Sequence, residues 1–248
     1  LHEQGKRVLH VSFKNQTIND SSFSSSEDEE ICIKNNVPYL SLDLTKASVE
    51  YMGRKLGSKT IAGWITKAPF FKALVNMIPG FNYLIYLGKV FELIKASNNE
   101  LICVLDSPSS GHALTMMEST QNFRDIFQSG IIFDDTNKML KLMYQPGFTQ
   151  MTILTTPTEM AIHEAFELKD DLAKLGTIDT KVFSNNSYAL YQDDIEAHGP
   201  EFLKEKLSQE IEVLSEYKDQ LSADIPHCLA TNQAEILSEI VPLMKSLV

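Results

Sequence analysis

The sequence predicts an α/β fold in which a mainly parallel sheet is covered by helices on both faces. Three observations carry that expectation. Short apolar, β-branched runs recur at Arg7–Ser12, Tyr39–Leu44, Leu101–Asp106, Met151–Thr155, Thr180–Asn185 and Ile225–Leu229. Most are separated by stretches long enough for a crossover helix, the connection parallel strands require. Hydrophobic residues make up 43% of the 248 and charged residues 22%, enough apolar surface for a sizeable core.

Two of the connecting stretches show their helical period directly. From Pro157 to Leu175, Met160, Ala161, Phe166, Leu172 and Leu175 form an apolar stripe, and Gly176 is the stop signal. From Glu201 to Leu221, Leu203, Leu207, Ile211, Leu214 and Leu221 keep the period while Glu and Lys fill the other face. Residues 21–30, SSFSSSEDEE, are serine-rich and acidic and read as a mobile loop. Residues 121–150 read as a short helical insert rich in large apolar groups. One domain over 1–248 holds these parts.

Charge and cysteine usage narrow the function. With 22 Lys and Arg against 33 Asp and Glu the net charge is -11, and no basic cluster is present to grip a phosphate backbone, so nucleic acid is excluded as a partner. Cys32, Cys103 and Cys228 are few, odd in number and without C-x-x-C spacing, which points to a reduced, cytoplasmic setting and away from zinc. The longest uncharged apolar stretch, Ala73 to Gly88, is 16 residues broken by Pro79-Gly80. A spanning helix needs about 20, so no transmembrane segment is expected. Peripheral attachment through Ile236–Val248 is disfavoured by Lys245 and the overall acidity.

The segment most informative about chemistry is LICVLDSPSSGHALT, Leu101–Thr115. A buried strand ends in Asp106 at the carboxyl edge, where α/β sheets bind ligands. In nucleotide hydrolases an Asp so placed holds magnesium through water beside the terminal phosphates. Gly111 would let its N–H approach a γ-phosphate with no side chain intervening. The plainer alternative is that Asp106 caps the following helix.

LICVLDSPSSGHALTMMEST resembles the Walker B and switch II segment of the arsenical-pump (ArsA-like) and tail-anchored-protein-targeting ATPases, whose pattern is an apolar strand followed by D-T-x-P-T-G-H-x-L-R-L-L. Asp106, Pro108, Gly111, His112 and Leu114 match, with Ser110 for Thr and Thr115 for Arg. LHEQGKRVLHVS is similar to the family's L-A-E-Q-G-K-R-V-L-L-V-S. IPGFNYLIYLGKVFEL, LTTPTEMAIHEAFELKDDLAKLG and VFSNNS follow the family's later segments in order. The resemblance implies a deviant P-loop NTPase fold, ATP or ADP with magnesium as ligands, and a homodimer or a dimer with an active homologue. It places Asp106 and Gly111 in catalysis, and Asn185 and Pro226 at the adenine. Asn185 reads equally as a turn cap. In the insert, Phe123, Phe127, Met139 and Met143 are candidates for contact with a client protein, with ordinary core packing the alternative.

Two departures bear on catalysis. The family's phosphate loop, G-K-G-G-V-G-K-T, belongs upstream of LHEQGKRVL, and GRKLGSKT at Gly53–Thr60 has the wrong spacing to replace it. Switch I reads S-T-D-P-A-H in the family but Ser12-Phe13-Lys14-Asn15-Gln16-Thr17 here. Lys14 occupies the place of the Asp that orients water, and a cation cannot accept its proton. Asp20 could substitute only after rearrangement. The expected function is therefore an ATP-driven dimeric switch, or else a hydrolysis-deficient nucleotide-binding subunit paired with an active homologue. Arsenite binding is unsupported by the cysteines.

Overall fold

The computed structural model describes residues 1, 4–15, 31–34, 36–69, 71, 73, 77–108, 110–230 and 232–245. The expected acidic loop at 21–30, together with Asp20, lies outside the described residues. The chain divides into two units, Leu1–Leu142 and Met143–Val248.

The first unit is built on β1 (Val8–Asn15), β3 (Val37–Asp43) and β4 (Ile102–Asp106), all parallel, with β2 (Cys32–Lys34) antiparallel to β3. The spatial order is β2-β3-β1-β4. Leu9, Val11, Leu40 and Leu42 alternate onto one face and are buried. Burying each contributes roughly 1.5–3 kcal/mol. Onto this face pack α1 (Leu44–Leu56) and α3 (Phe81–Ala96), which lie in the crossover from β3 to β4 together with α2 (Lys59–Lys67). Phe13 of β1 stacks on Tyr86 of α3 at 4.6 Å. Gly88 lets α1 come close to α3, with the Tyr51 ring 3.4 Å from where a Cβ would stand. The ion pairs Lys89–Glu50 and Arg54–Glu92 flank that contact.

GRKLGSKT is the corner between α1 and α2. Gly57 ends α1 in the left-handed region (φ 70°), and the Ser58 side chain accepts the Ile61 N–H to start α2. No strand leads into it. Residues 121–127 complete α4 (Ser110–Phe127), 131–143 form α5 (Ile131–Met143), and Gln150 opens the next strand. The expected insert is thus divided among regular elements.

The second unit is a parallel sheet of order β5-β6-β7, from β5 (Gln150–Thr155), β6 (Asp179–Ser187) and β7 (Ala223–Pro226). Between β5 and β6 runs α6 (Glu159–Leu175), which buries Ile162, Ala165 and Leu172. Its stop is steric rather than left-handed: Gly176 is extended, and a Cβ there would run into the Tyr144 ring. A 3-10 turn (Ala189–Tyr191), α7 (Gln192–His198) and α8 (Glu201–Glu216) connect β6 to β7, and α9 (Gln233–Lys245) follows. The last strand begins before the expected Ile225, because Ser222 N–H already bonds Val182 O (2.7 Å). The strand's last residue is Pro226, and the next N–H, that of His227, still bonds Ser187 O of β6 (2.7 Å).

Gly80 caps the N-terminus of α3 at φ 82°, and a Cβ there would sit 2.8 Å from Ser119 Cβ. Gly80→Ala should therefore cost about 1–3 kcal/mol, read as a lowered urea midpoint, whereas Gly147→Ala (φ 78°, open surroundings) should cost only the backbone strain.

Candidate functional site

In the first unit the expected catalytic pair sits at the carboxyl ends of the parallel strands. Asp106, the last residue of β4, lies beside Ser12 of β1 in register. Ser12 Oγ and the Tyr39 hydroxyl are 2.6 Å apart. Residues 107 and 108 follow, and α4 begins at Ser110. Its first turn carries Gly111 and His112, both exposed. Eighteen residues of helix therefore start close behind the strand end, and a helix N-terminus favours negative charge.

The strand-end aspartates of this sheet behave differently. Asp43, at the end of β3, is buried and caps α1, its Oδ1 accepting the N–H of Thr45 (2.9 Å) and Lys46 (3.1 Å). Asp106 is exposed, and its carboxylate has no hydrogen-bond or ion-pair partner among the described residues. The capping contact seen in this sheet is thus that of Asp43, and Asp106 makes none among the described residues.

Gly111 is likewise exposed. Its φ is not positive, and no heavy atom lies within 4 Å of where a Cβ would stand. Neither backbone conformation nor packing demands a glycine there, although glycine inside a helix is costly by roughly 0.5–1 kcal/mol relative to alanine.

The switch I expectation meets a different local structure. β1 continues through Asn15, which pairs with Asp43 after a register shift, so residues 13–15 are strand rather than loop. Lys14 lies on this strand extension. β4 is the edge of its sheet among the described residues, not a central strand as the sequence pattern suggested.

In the second unit Asn185 and Pro226 lie at the carboxyl ends of neighbouring strands. Asn185 pairs with Ile225, then a bulge at Asn186 intervenes before Ser187 pairs with Pro226. Asn185 has no side-chain partner among the described residues. The engaged asparagine is its neighbour: Asn186, at φ 65°, places Oδ1 2.5 Å from His227 Nδ1. Tyr188 stacks on the His227 ring at 4.7 Å, and Tyr191 donates to His227 O (2.9 Å). Beneath them Glu210, almost fully buried, accepts the Tyr188 N–H (2.9 Å), with Lys206 over the Tyr188 ring. Ser184 Oγ is buried without a hydrogen-bond partner among the described residues. Sequence reasoning missed Asn186, because the bulge breaks the two-residue period of β6, and Tyr188 and Glu210, because their contact joins the strand end to α8, far apart in sequence.

Of the candidates for client contact, Phe123, Met139 and Met143 are buried and Phe127 is half-buried. Phe123 packs against Phe81 (5.1 Å) and Phe127 (6.0 Å). These four side chains serve as core more than as an open surface. What stays open beside them is Ile126, 58% exposed, at a cavity of about 420 Å³ lined also by Ile78, Pro79, Asn122, Phe123 and Asp125.

No group of three or more His, Cys, Asp or Glu able to hold a metal occurs among the described residues. Magnesium does not require one, since it keeps several waters and uses one or two carboxylates with phosphate oxygens. Asp106 fits that limited role. The described residues contain no helix long and apolar enough to cross a membrane. No protein-family model matches the chain, and no curated protein sequence matches it significantly.

Two outcomes follow from this geometry. Asp106→Asn and Gly111→Ala should leave chemical-denaturation stability unchanged or slightly raised, within about 0.5 kcal/mol for the former, while Asp43→Ala should lose about 1 kcal/mol. Burial pushes the Cys103 thiol from 9.0 up to about 11, so the folded state binds its proton more tightly than the unfolded chain. That contribution is complete below pH 9 and is lost as pH climbs toward 11. Urea melts at pH 8 and pH 10.5 should therefore show a smaller loss for Cys103→Ala than for the unchanged protein.

Proposed function

We propose that the protein is an ArsA-like nucleotide-binding ATPase of the deviant P-loop class, a dimeric switch driven by ATP and magnesium that acts on a partner or client protein. The observation that carries this reading is Asp106: an exposed carboxylate ending a parallel strand, without a partner among the described residues. A helix whose first turn holds a glycine the fold does not need follows it, within the order D-S-P-S-S-G-H.

On this reading the phosphate loop is supplied upstream of Leu1, and its backbone N–H groups and lysines hold the phosphates. Asp106 orients magnesium through a bound water, and the metal neutralises charge building on the phosphoryl oxygens. Gly111 offers its N–H to the γ-phosphate, which couples the presence of that group to the start of α4. Asn185 and Pro226 border the adenine. The Asn185 amide, without a partner among the described residues, supports this placement, and the Tyr188–His227 stack gives the same strand ends an aromatic surface.

Lys14 favours a second reading, a nucleotide-binding subunit that turns over slowly or not at all. Attack by water on the γ-phosphate releases a proton, and an ammonium cannot take it. A partner with a competent switch I would then provide hydrolysis for the pair.

The deciding experiment is calorimetric ATP–magnesium binding and phosphate release with the protein at its natural length. The first reading expects saturable binding and turnover that Asp106→Asn lowers by roughly two orders of magnitude. Binding without turnover, with turnover gained on Lys14→Asp, selects the second. Absence of nucleotide binding sinks both.

A further inference from the structure

Residues 51–91 differ from the rest of the chain in charge. They hold six Lys and Arg and no Asp or Glu, so all 33 acidic residues of a chain with net charge -11 lie outside them. Two of the six are matched by flanking acids, Lys89 by Glu50 and Arg54 by Glu92. Lys55, Lys59, Lys67 and Lys72 have no acidic neighbour within the stretch. Spaced apart, they make no basic run in the sequence. Three of them fall on one short helix and its approach: Lys55 is in the last turn of α1, Lys59 opens α2 and Lys67 closes it.

The same helix turns an apolar side outward. Ala62 and Thr66, four residues apart on α2, are fully buried, and α1 is the helix that α2 packs on. Trp64 lies midway between them in sequence and so on the opposite side, where it is 82% exposed. Ile61, three residues before it, is 53% exposed, and Lys67, three residues after it, is exposed as well. Tryptophan is usually covered over most of its surface, because its ring is a large apolar body with one polar tip. It is also the single tryptophan of the sequence.

The residues around Trp64 select among the surfaces a bare indole can meet. Protein–protein interfaces are enriched in Trp but depleted in Lys. Single-stranded nucleic acid stacks on aromatic rings, and the aliphatic Ile61 adds nothing to a stack. An outward Trp and Ile on a helix with Lys at both ends matches the boundary of an anionic bilayer, where indole rings sit at headgroup level and ammonium groups meet lipid phosphates. A stretch without carboxylates meets that surface without local repulsion. The acidity of the rest of the chain is no obstacle, since charges beyond about 8 Å are screened at physiological salt.

We infer that the exposed side of α2 docks on the surface of an anionic lipid bilayer. Trp64 and Ile61 enter the headgroup layer, and the basic stretch supplies the attraction. At about fivefold in affinity for each lysine, the attachment is reversible and salt-sensitive. This inference stands on α1 and α2 alone and is independent of the nucleotide reading.

The lone tryptophan makes the test direct. Trp64 fluorescence of the full chain is recorded in buffer, with vesicles of phosphatidylcholine and phosphatidylserine, and with vesicles of phosphatidylcholine alone. The emission should be that of a water-exposed indole in buffer. On the anionic vesicles only, it should shift to the blue and be quenched by brominated acyl chains, and high salt should reverse both. In sedimentation with the same vesicles, Lys67→Gln should bind about fivefold more weakly. Trp64→Ala should bind about tenfold more weakly, with an unchanged circular dichroism spectrum. Buried-indole emission in buffer overturns the proposal, because another part of the chain then covers Trp64. An unmoved emission on anionic vesicles overturns it too, as does an equal shift on uncharged ones or vesicle binding that survives Trp64→Ala. A blue shift with DNA or with an apolar helical peptide, in place of anionic vesicles, rejects the bilayer in favour of that partner.

Discussion

Parallel pairing of β3, β1 and β4 is the constraint from which the first unit grows. Two parallel neighbours cannot be joined by a tight turn, so the chain must travel the length of the sheet between them, and a helix does this with every backbone bond satisfied. That return path brings α1 and α3 onto Leu9, Val11, Leu40 and Leu42, and it leaves each strand's carboxyl end pointing the same way. Polar groups that end strands therefore gather at one rim. Asp43 and Asp106 share that rim by topology, before any chemistry is asked of them.

Their different fates show how a site separates from a scaffold. Asp43 is spent locally: two amide hydrogens of α1 saturate one oxygen, and burial fixes the arrangement. A carboxylate so engaged has little left to offer a ligand. Asp106 meets no such demand, because α4 starts several residues further on, and a proline and serines stand between. The spacing between strand end and helix start is thus the physical variable that converts a structural aspartate into an available one. Gly111 in the first turn of α4 extends the same logic to the backbone.

Much of this was legible in the sequence, and the reasons are specific. The strands at Arg7–Ser12, Leu101–Asp106, Met151–Thr155 and Thr180–Asn185 appear within a few residues of their expected limits, because apolar β-branched runs bounded by turn residues leave few alternatives. The three-residue β2 has too few residues to show a period, and β7 is set by what Val182 and Phe183 offer it rather than by its own composition. Asp106 and Gly111 could be singled out as residues, yet only hydrogen bonding distinguished Asp43, which caps, from Asp106, which has no partner among the described residues. The Phe and Met residues of 121–150 illustrate the opposite limit. Apolar content says that a side chain will be covered, and only the packing of Phe123 against Phe81 says by what.

The bulge at Asn186 has a consequence for how this protein can change over evolutionary time. Two residues of β6, rather than one, span the step from Ile225 to Pro226, so the strand's inside and outside positions exchange roles at that point. Substitutions on either side need only respect the new phase. A one-residue deletion would reverse the phase of all that follows, sending Ser187, now buried, to the opposite side. Asparagine, one of the few residues that accept a left-handed backbone without a large penalty, marks the position where the phase changes. The aligned lengths of related chains should therefore be fixed across this strand end, even where the letters drift.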